Sequence, residues 1–127
     1  MSAAETLRQA AALIRSRAKA ATPGPWRFTD SEAVNDVWAG GMVVVSDDAD
    51  PIANVQDEWY ENDPGEPAPV NDAEHIASWN PVVALAVADL LDAVALVADH
   101  YPPLQIRPDS AASRALVLAR AYLGVQS

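Results

Sequence analysis

Apolar side chains near the N-terminus recur at helical intervals: Leu7, Ala11, Ile14 and Ala18 form one narrow stripe, the spacing of a helix that buries a single side. Ser2, with Glu5 three residues later, has the form of a capping box, so the helix is predicted over 3–21. Arg8, Arg15 and Lys19 run beside the stripe. An alanine-rich helix of this kind gains little from its own apolar side and needs a larger body to dock on. Thr22-Pro23-Gly24-Pro25 stops it, because prolines interrupt the hydrogen-bond ladder and glycine permits a sharp turn.

The period then shortens. Trp26-Arg27-Phe28-Thr29 alternates as a strand, Val37-Trp38-Ala39 and Met42-Val43-Val44-Val45 flank a Gly40-Gly41 turn, and Ile52-Ala53-Asn54-Val55 follows an Asp-rich turn. Region 26–55 is thus predicted to be a small antiparallel meander of three to four strands. From 56 to 70 the composition shifts to Asp, Glu, Asn, Pro and Gly around Trp59-Tyr60, an acidic loop of a length usually associated with function or movement. Asn71 with Glu74 repeats the capping-box spacing and predicts a helix over 72–79; Asn80 as cap and Pro81 as first residue open another over 81–99.

That helix carries apolar residues from Val82 to Val97, broken by Asp89, Asp92 and Asp99 along one edge, and reads as the core helix. Asp109 or Ser110 caps a last helix over 110–123, with Gly124 at its end. The element order predicts an α+β fold. A small antiparallel sheet is flanked on one face by the N-terminal helix and the C-terminal helices, in a single domain over 1–127.

At 127 residues there is room for one core. The absence of cysteine excludes disulfides, thiolate zinc sites and cysteine nucleophiles, and two histidines are too few for a His-rich metal cluster. The net charge of −10 conceals an uneven layout. The basic residues are Arg8, Arg15, Arg17, Lys19, Arg27, Arg107, Arg114 and Arg120, and none lies in the 79 residues from Phe28 to Ile106, which hold 16 of the 18 acids. Such a surface opposes nucleic-acid binding. The basic ends can pair with the acidic middle of the same chain or of a neighbouring subunit, or the acidic face can meet a basic partner. The N-terminal stretch lacks a continuous apolar core of the export type, and the longest uncharged run, Ile76 to Ala88, is too short to span a bilayer. The expectation is a cytoplasmic protein without membrane contact, in the host cytoplasm if phage-encoded.

Ala21-Thr22-Pro23-Gly24-Pro25-Trp26, a short β-rich region, then Asp72-Ala73-Glu74-His75-Ile76-Ala77 and Pro81 with Ala84-Leu85-Ala86 and Ala88-Asp89-Leu90-Leu91-Asp92 together resemble a group of small uncharacterised proteins of actinobacteria and their bacteriophages. In that group a helix ends in a TPGPW turn, and a DAEHIA…P helix follows a few strands. The resemblance covers roughly Ser2 to Asp92; the acidic insert and the last helix are less typical. It implies a phage or prophage accessory gene and brings no activity with it.

Candidate chemistry is sparse. Asp72 and His75 share a helical face while Glu74 sits about 100° from His75, which leaves two ligands where transition metals take three or four. A helix-capping role accounts for Asp72 and Glu74, and packing at the sheet edge for His75. Asp47, Asp48 and Asp50 lack the Gly and distal Glu of a calcium loop. Gly40-Gly41 has no Lys-Ser/Thr after it, and no serine stands in a nucleophile elbow. Neither catalytic residues, nor a metal, nor a cofactor are therefore expected. Trp26 and Trp79 read as core anchors. Trp59-Tyr60 either covers the sheet or contacts a partner.

Three functional readings follow. The leading one is a non-catalytic accessory protein that binds another protein, one with a basic surface, through Asp57, Glu58, Trp59, Tyr60, Glu61 and Asp63. A second is an oligomer that sequesters a nucleotide-like molecule with Arg8, Arg15, Arg114, Trp38 and His75. The third is an enzyme using His75 with Asp72. Homo-oligomerisation stays open in each.

Overall fold

The structure, a computed structural model, describes residues 2–30, 42–48, 50–55, 68–100 and 107–124. In chain order these form helix α1 (Ala3–Ala20), strands β1 (Trp26–Asp30), β2 (Met42–Ser46) and β3 (Pro51–Val55), and helices α2 (Ala68–Ser78), α3 (Pro81–His100) and α4 (Ala111–Gly124). The fold is α+β. The expectation of one domain is refined, because the chain divides into two compact units: a helical unit of Met1–Ala20 with Ala84–Ser127, and a sheet unit of Ala21–Val83.

The capping box at the start of α1 is complete. The Glu5 amide donates to Ser2 Oγ at 3.1 Å, and the Ser2 amide donates to Glu5 Oε2 at 3.4 Å. Between them they satisfy two backbone donors that a helix start otherwise leaves open. The predicted stripe is buried as Leu7, Ala11, Ile14 and Ala18, widened by Ala4 and Ala10. Leu7, Ala10, Ala11 and Ile14 join Ala88, Leu91 and Ala95 of α3 and Ala115 and Ala119 of α4 in one core. Most of these residues are alanines, and it is α1 and α4 that approach one another most closely. At the start of α4, Ser110 is the cap: its Oγ accepts the Ser113 amide at 3.1 Å. Asp109 precedes it in the left-handed region, φ 69°, a conformation that Asp tolerates better than most residues.

In the sheet unit the strands run antiparallel in the order β1-β2-β3. Phe28 lies opposite Val44, and Val44 opposite Ala53, but Val45 lies opposite Pro51, so β3 carries one extra residue at that point. Such a bulge suits an edge strand opened by proline, whose missing N–H removes nothing from the ladder there. The amide of Ser46 donates to the Asp50 carbonyl and the Asp50 amide to Ser46 Oγ, which closes the β2–β3 turn and leaves Asp47 and Asp48 exposed. Helix α2 packs on the sheet, bringing Ala73 and Ala77 against Val44 and Val55, with Trp26, Phe28, Ile52 and Ile76 around them. Trp26 is anchored as expected: its Nε1 donates to the Thr22 carbonyl at 3.0 Å. The expected strand over Val37-Trp38-Ala39 and its Gly40-Gly41 turn lie outside the described residues, but the expected hairpin pairing of residues 42–45 is corrected: β2 is hydrogen-bonded to β1 on one side and to β3 on the other.

Three further expectations change. Helix α2 begins at Ala68, not at 72, since Pro69 falls in the first turn, where a helix needs no N–H from it. Trp79 is no core anchor; it is 54% exposed. Finally, α3 is not buried on all sides, a point developed below.

Asn80 joins α2 to α3 and is 8% exposed. Its Nδ2 donates to the Ala77 carbonyl at 3.1 Å while its Oδ1 accepts the Val82 amide at 2.9 Å, so one side chain ends α2 and caps α3. Gly24 of the Thr-Pro-Gly-Pro turn presses on this junction. A Cβ at Gly24 would stand 2.8 Å from Asn80 Oδ1 and 3.2 Å from Val82 Cγ2. Gly24→Ala is therefore expected to lower stability by about 1–3 kcal/mol through overpacking, and Asn80→Ala by about 1–2 kcal/mol through loss of the cap. Urea unfolding measures both, as a lower midpoint at unchanged slope; a neutral Gly24→Ala would show that the junction relaxes freely.

Candidate functional site

Helices α1 and α3 meet along a row of ion pairs. Arg8 grips Asp99 with both guanidinium nitrogens: Nη2 bonds Oδ2, and Nη1 bonds Oδ1 at 3.3 Å. Two turns along α1, Arg15 Nη2 donates to Asp89 Oδ1 at 3.0 Å and to Asp92 Oδ2 at 2.9 Å. The basic edge of α1 and the acidic edge of α3, both legible in the sequence, thus face one another within the same chain. Arg17 lies over the Tyr122 ring of α4, 5.4 Å from its centre. Arg114 pairs with Asp109 at 3.0 Å. All four ion pairs among the described residues fall in the helical unit.

The electrostatics follow from the contacts. Hydrogen bonding to Arg8, and then its charge, holds the Asp99 carboxyl below the usual range. The Arg8 guanidinium is raised by its hydrogen bond to Asp99, and that of Arg15 by its bonds to Asp89 and Asp92. These groups are half exposed, so solvent and salt weaken the pairs, and they set orientation more than stability.

The residues expected to enclose a nucleotide-like ligand do not gather. Arg8, Arg15 and Arg114 belong to the helical unit and are each engaged with Asp; His75 belongs to the sheet unit and is exposed. His75 meets Trp79 edge to face, with ring centres 6.4 Å apart, and does not pack against the sheet edge. Trp38 lies outside the described residues. So do Asp57, Glu58, Trp59, Tyr60, Glu61 and Asp63, the expected partner contacts. Among the described residues no group of three or more His, Asp or Glu is placed to hold a metal ion.

Two features escaped sequence reasoning. The first is that charge divides along the unit boundary. The sheet unit holds thirteen acids against a single arginine, Arg27, whereas the helical unit holds seven basic residues against five acids. The second is the outer side of α3, where Val82, Val83, Leu90, Leu96 and Val97 are open to solvent. A helix apolar on every side signals burial in sequence, so these positions read as core. The buried side is instead the one that carries Ala88, Leu91 and Ala95. By length and composition α3 is the one helix among the described residues apolar enough to cross a membrane, although Asp89 and Asp92 on its flank are held by Arg15 of α1.

No family model matches the chain, and neither does any curated protein or solved structure.

The Arg8–Asp99 pair makes a pH prediction. A carboxyl depressed in the folded state contributes stability that is fully present above its unfolded value, near pH 4, and is lost as pH falls below that value through the lower folded one. Asp99→Asn should therefore melt below the wild type at pH 7, and the gap should narrow as pH falls below about 4 or as salt rises to about 1 M. A gap independent of pH and salt would mean that the pair contributes packing rather than charge.

Proposed function

We propose that the chain is a soluble, cytoplasmic, non-catalytic accessory protein that binds another protein through its acidic sheet unit, the partner surface being basic. The observation that carries this reading is the segregation of charge. The helical unit engages Arg8, Arg15 and Arg114 in its own ion pairs, which leaves thirteen acids on a unit with one arginine. Asp47, Asp48 and Asp50 at the β2–β3 turn and Glu74 on α2 are exposed, and five further acids of the same unit fall at 57–66. A field of one sign steers an oppositely charged partner and speeds its association. Trp59-Tyr60, set among these acids, would supply the apolar anchor that charge alone lacks. The resemblance to small phage and actinobacterial proteins agrees with a role of this kind, acting on a host protein.

The alternatives draw less support. A nucleotide-sequestering site needs arginines available for phosphate, and the three expected ones are bound to Asp. Catalysis by His75 with Asp72 needs a sheltered histidine, and His75 is exposed beside Trp79.

The test compares the wild-type chain with a variant carrying Asp57→Asn, Glu58→Gln, Glu61→Gln and Asp63→Asn, each immobilised and exposed to host lysate. The wild type should retain a discrete protein near physiological salt and release it as ionic strength rises. The neutralised variant should retain at least tenfold less, and so should Trp59→Ala. Retention that survives neutralisation ends the acidic-contact reading.

A further inference from the structure

Trp79 follows the last residue of α2 and is 54% exposed, more than is usual for so large an aromatic side chain. Its position is nonetheless held. The Trp79 amide donates to the Ile76 carbonyl at 3.2 Å, and the next residue, Asn80, is buried and bonded to the end of α2 and the start of α3. The ring meets His75 edge to face, with centres 6.4 Å apart. An edge-to-face pair covers at most one side of an indole, so the other side stays open to solvent. His75 lies four residues before Trp79, and Asp72 three before His75, which sets the three along one line of the helix surface over about 10 Å. Glu74 sits on the flank of that line, and Asp72, Glu74 and His75 are all exposed. The opposite side of α2 carries Ala73 and Ala77, buried on the sheet.

We infer that the outer side of α2 receives a basic segment of a partner protein, with an arginine stacked on the open face of Trp79 and a second cation beside Asp72 and Glu74. The inference rests on the acidic-contact reading and names the described part of the sheet unit that the partner touches. Charge complementarity selects the occupant: the unit that presents Trp79 holds thirteen acids against Arg27 alone, a field that draws in a cationic segment and repels an anionic one. The helical unit supplies its own comparison. There Arg17 lies over the Tyr122 ring, and it is the one cation placed over an aromatic ring among the described residues. Trp79 offers a stronger ring for the same contact, in a unit with a single arginine of its own. Arginine suits the position better than lysine, because a planar, weakly hydrated guanidinium stacks on an indole while its edge still donates to a carboxylate. The run of about 10 Å from Asp72 to Trp79 equals three residues of extended chain, so the two cations are to be sought three residues apart. An apolar segment would have to cover the Asp72 and Glu74 carboxylates, at a cost that a cation avoids.

The probe is a capped peptide of alanines with two arginines three residues apart, titrated at low salt into nitrogen-15-labelled protein. The indole N–H resonance of Trp79, identified by its absence from Trp79→Phe, should move more than those of the other tryptophans. Trp79→Ala, with its helical circular-dichroism spectrum preserved, should bind the peptide about threefold or more weakly, and Trp79→Phe, which keeps a smaller ring, should lose less. The same peptide with lysine in place of both arginines should bind more weakly than the arginine form. Equal binding by the wild type and Trp79→Ala with the Trp79 resonance unmoved would overturn the inference and leave the acidic-contact reading standing. A leucine peptide without charge that moves Trp79 as far would give the site to an apolar partner, and a Trp79 resonance that moves on dilution of the protein alone would give it to a second copy; either overturns the basic segment. No binding of the arginine peptide even at millimolar concentration would overturn it as well, while retention of a lysate protein by the acids at 57–63 decides the acidic-contact reading separately.

Discussion

The rotation of α3 about its own axis governs most of what this protein presents to its surroundings. Ala88, Leu91 and Ala95 fix that rotation by facing the core that they share with Leu7, Ala10, Ala11 and Ile14 of α1 and with Ala115 and Ala119 of α4. The arginines of α1 then reach the acids on the flank of α3 at Asp89, Asp92 and Asp99. Apolar contact chooses the face, and the ion pairs discriminate against turning the helix either way, since any rotation would separate Arg8 and Arg15 from their carboxylates. What remains of α3, the strip through Leu90 and Val97, is exposed as a consequence.

The same packing explains the distribution of charge. A helical unit held together by alanine gains little from burial per residue, because a methyl group removes little apolar area from water. Its ion pairs and the stacking of Arg17 on Tyr122 supply orientation that bulky side chains would otherwise provide. Those contacts engage arginines, and with Arg8, Arg15, Arg17 and Arg114 so placed the acids of the sheet unit have one arginine of their own. The −10 of the whole chain is therefore close to the charge of a single unit, and the functional reading rests on where the charge lies more than on its sum.

Much of the architecture was legible in the sequence, and the exceptions have physical causes. The α1 capping box, the antiparallel strands, the Asn80-Pro81 restart and the acidic edge of α3 all depend on local chemistry or on one short period, and all are present. The start of α2 was misplaced because the Asn71 and Glu74 pattern imitates a cap, while proline in a first turn carries no penalty that periodicity can register. Trp79 and the outer side of α3 were misread because residue type predicts average burial, whereas burial at a given position depends on which neighbour arrives. Two helices with alanine faces cover only one side of a third. The expected partner contact at 57–63 was read from composition alone and lies outside the described residues.

The Thr-Pro-Gly-Pro-Trp and Asn80-Pro81 motifs find a structural explanation in one place. Thr-Pro-Gly-Pro-Trp and Asn80-Pro81 are separated by more than fifty residues, yet Gly24 packs on Asn80 and Val82, and Trp26 lies against the core that Ala73 and Ala77 share with the sheet. Glycine is required at 24 because the Asn80 carboxamide is already committed on both sides, to the end of α2 and the start of α3, and so cannot move aside. A motif that maintains such a junction can be shared by proteins with different partners. The junction leaves unconstrained the exposed turn at Asp47, Asp48 and Asp50 and the outer side of α3.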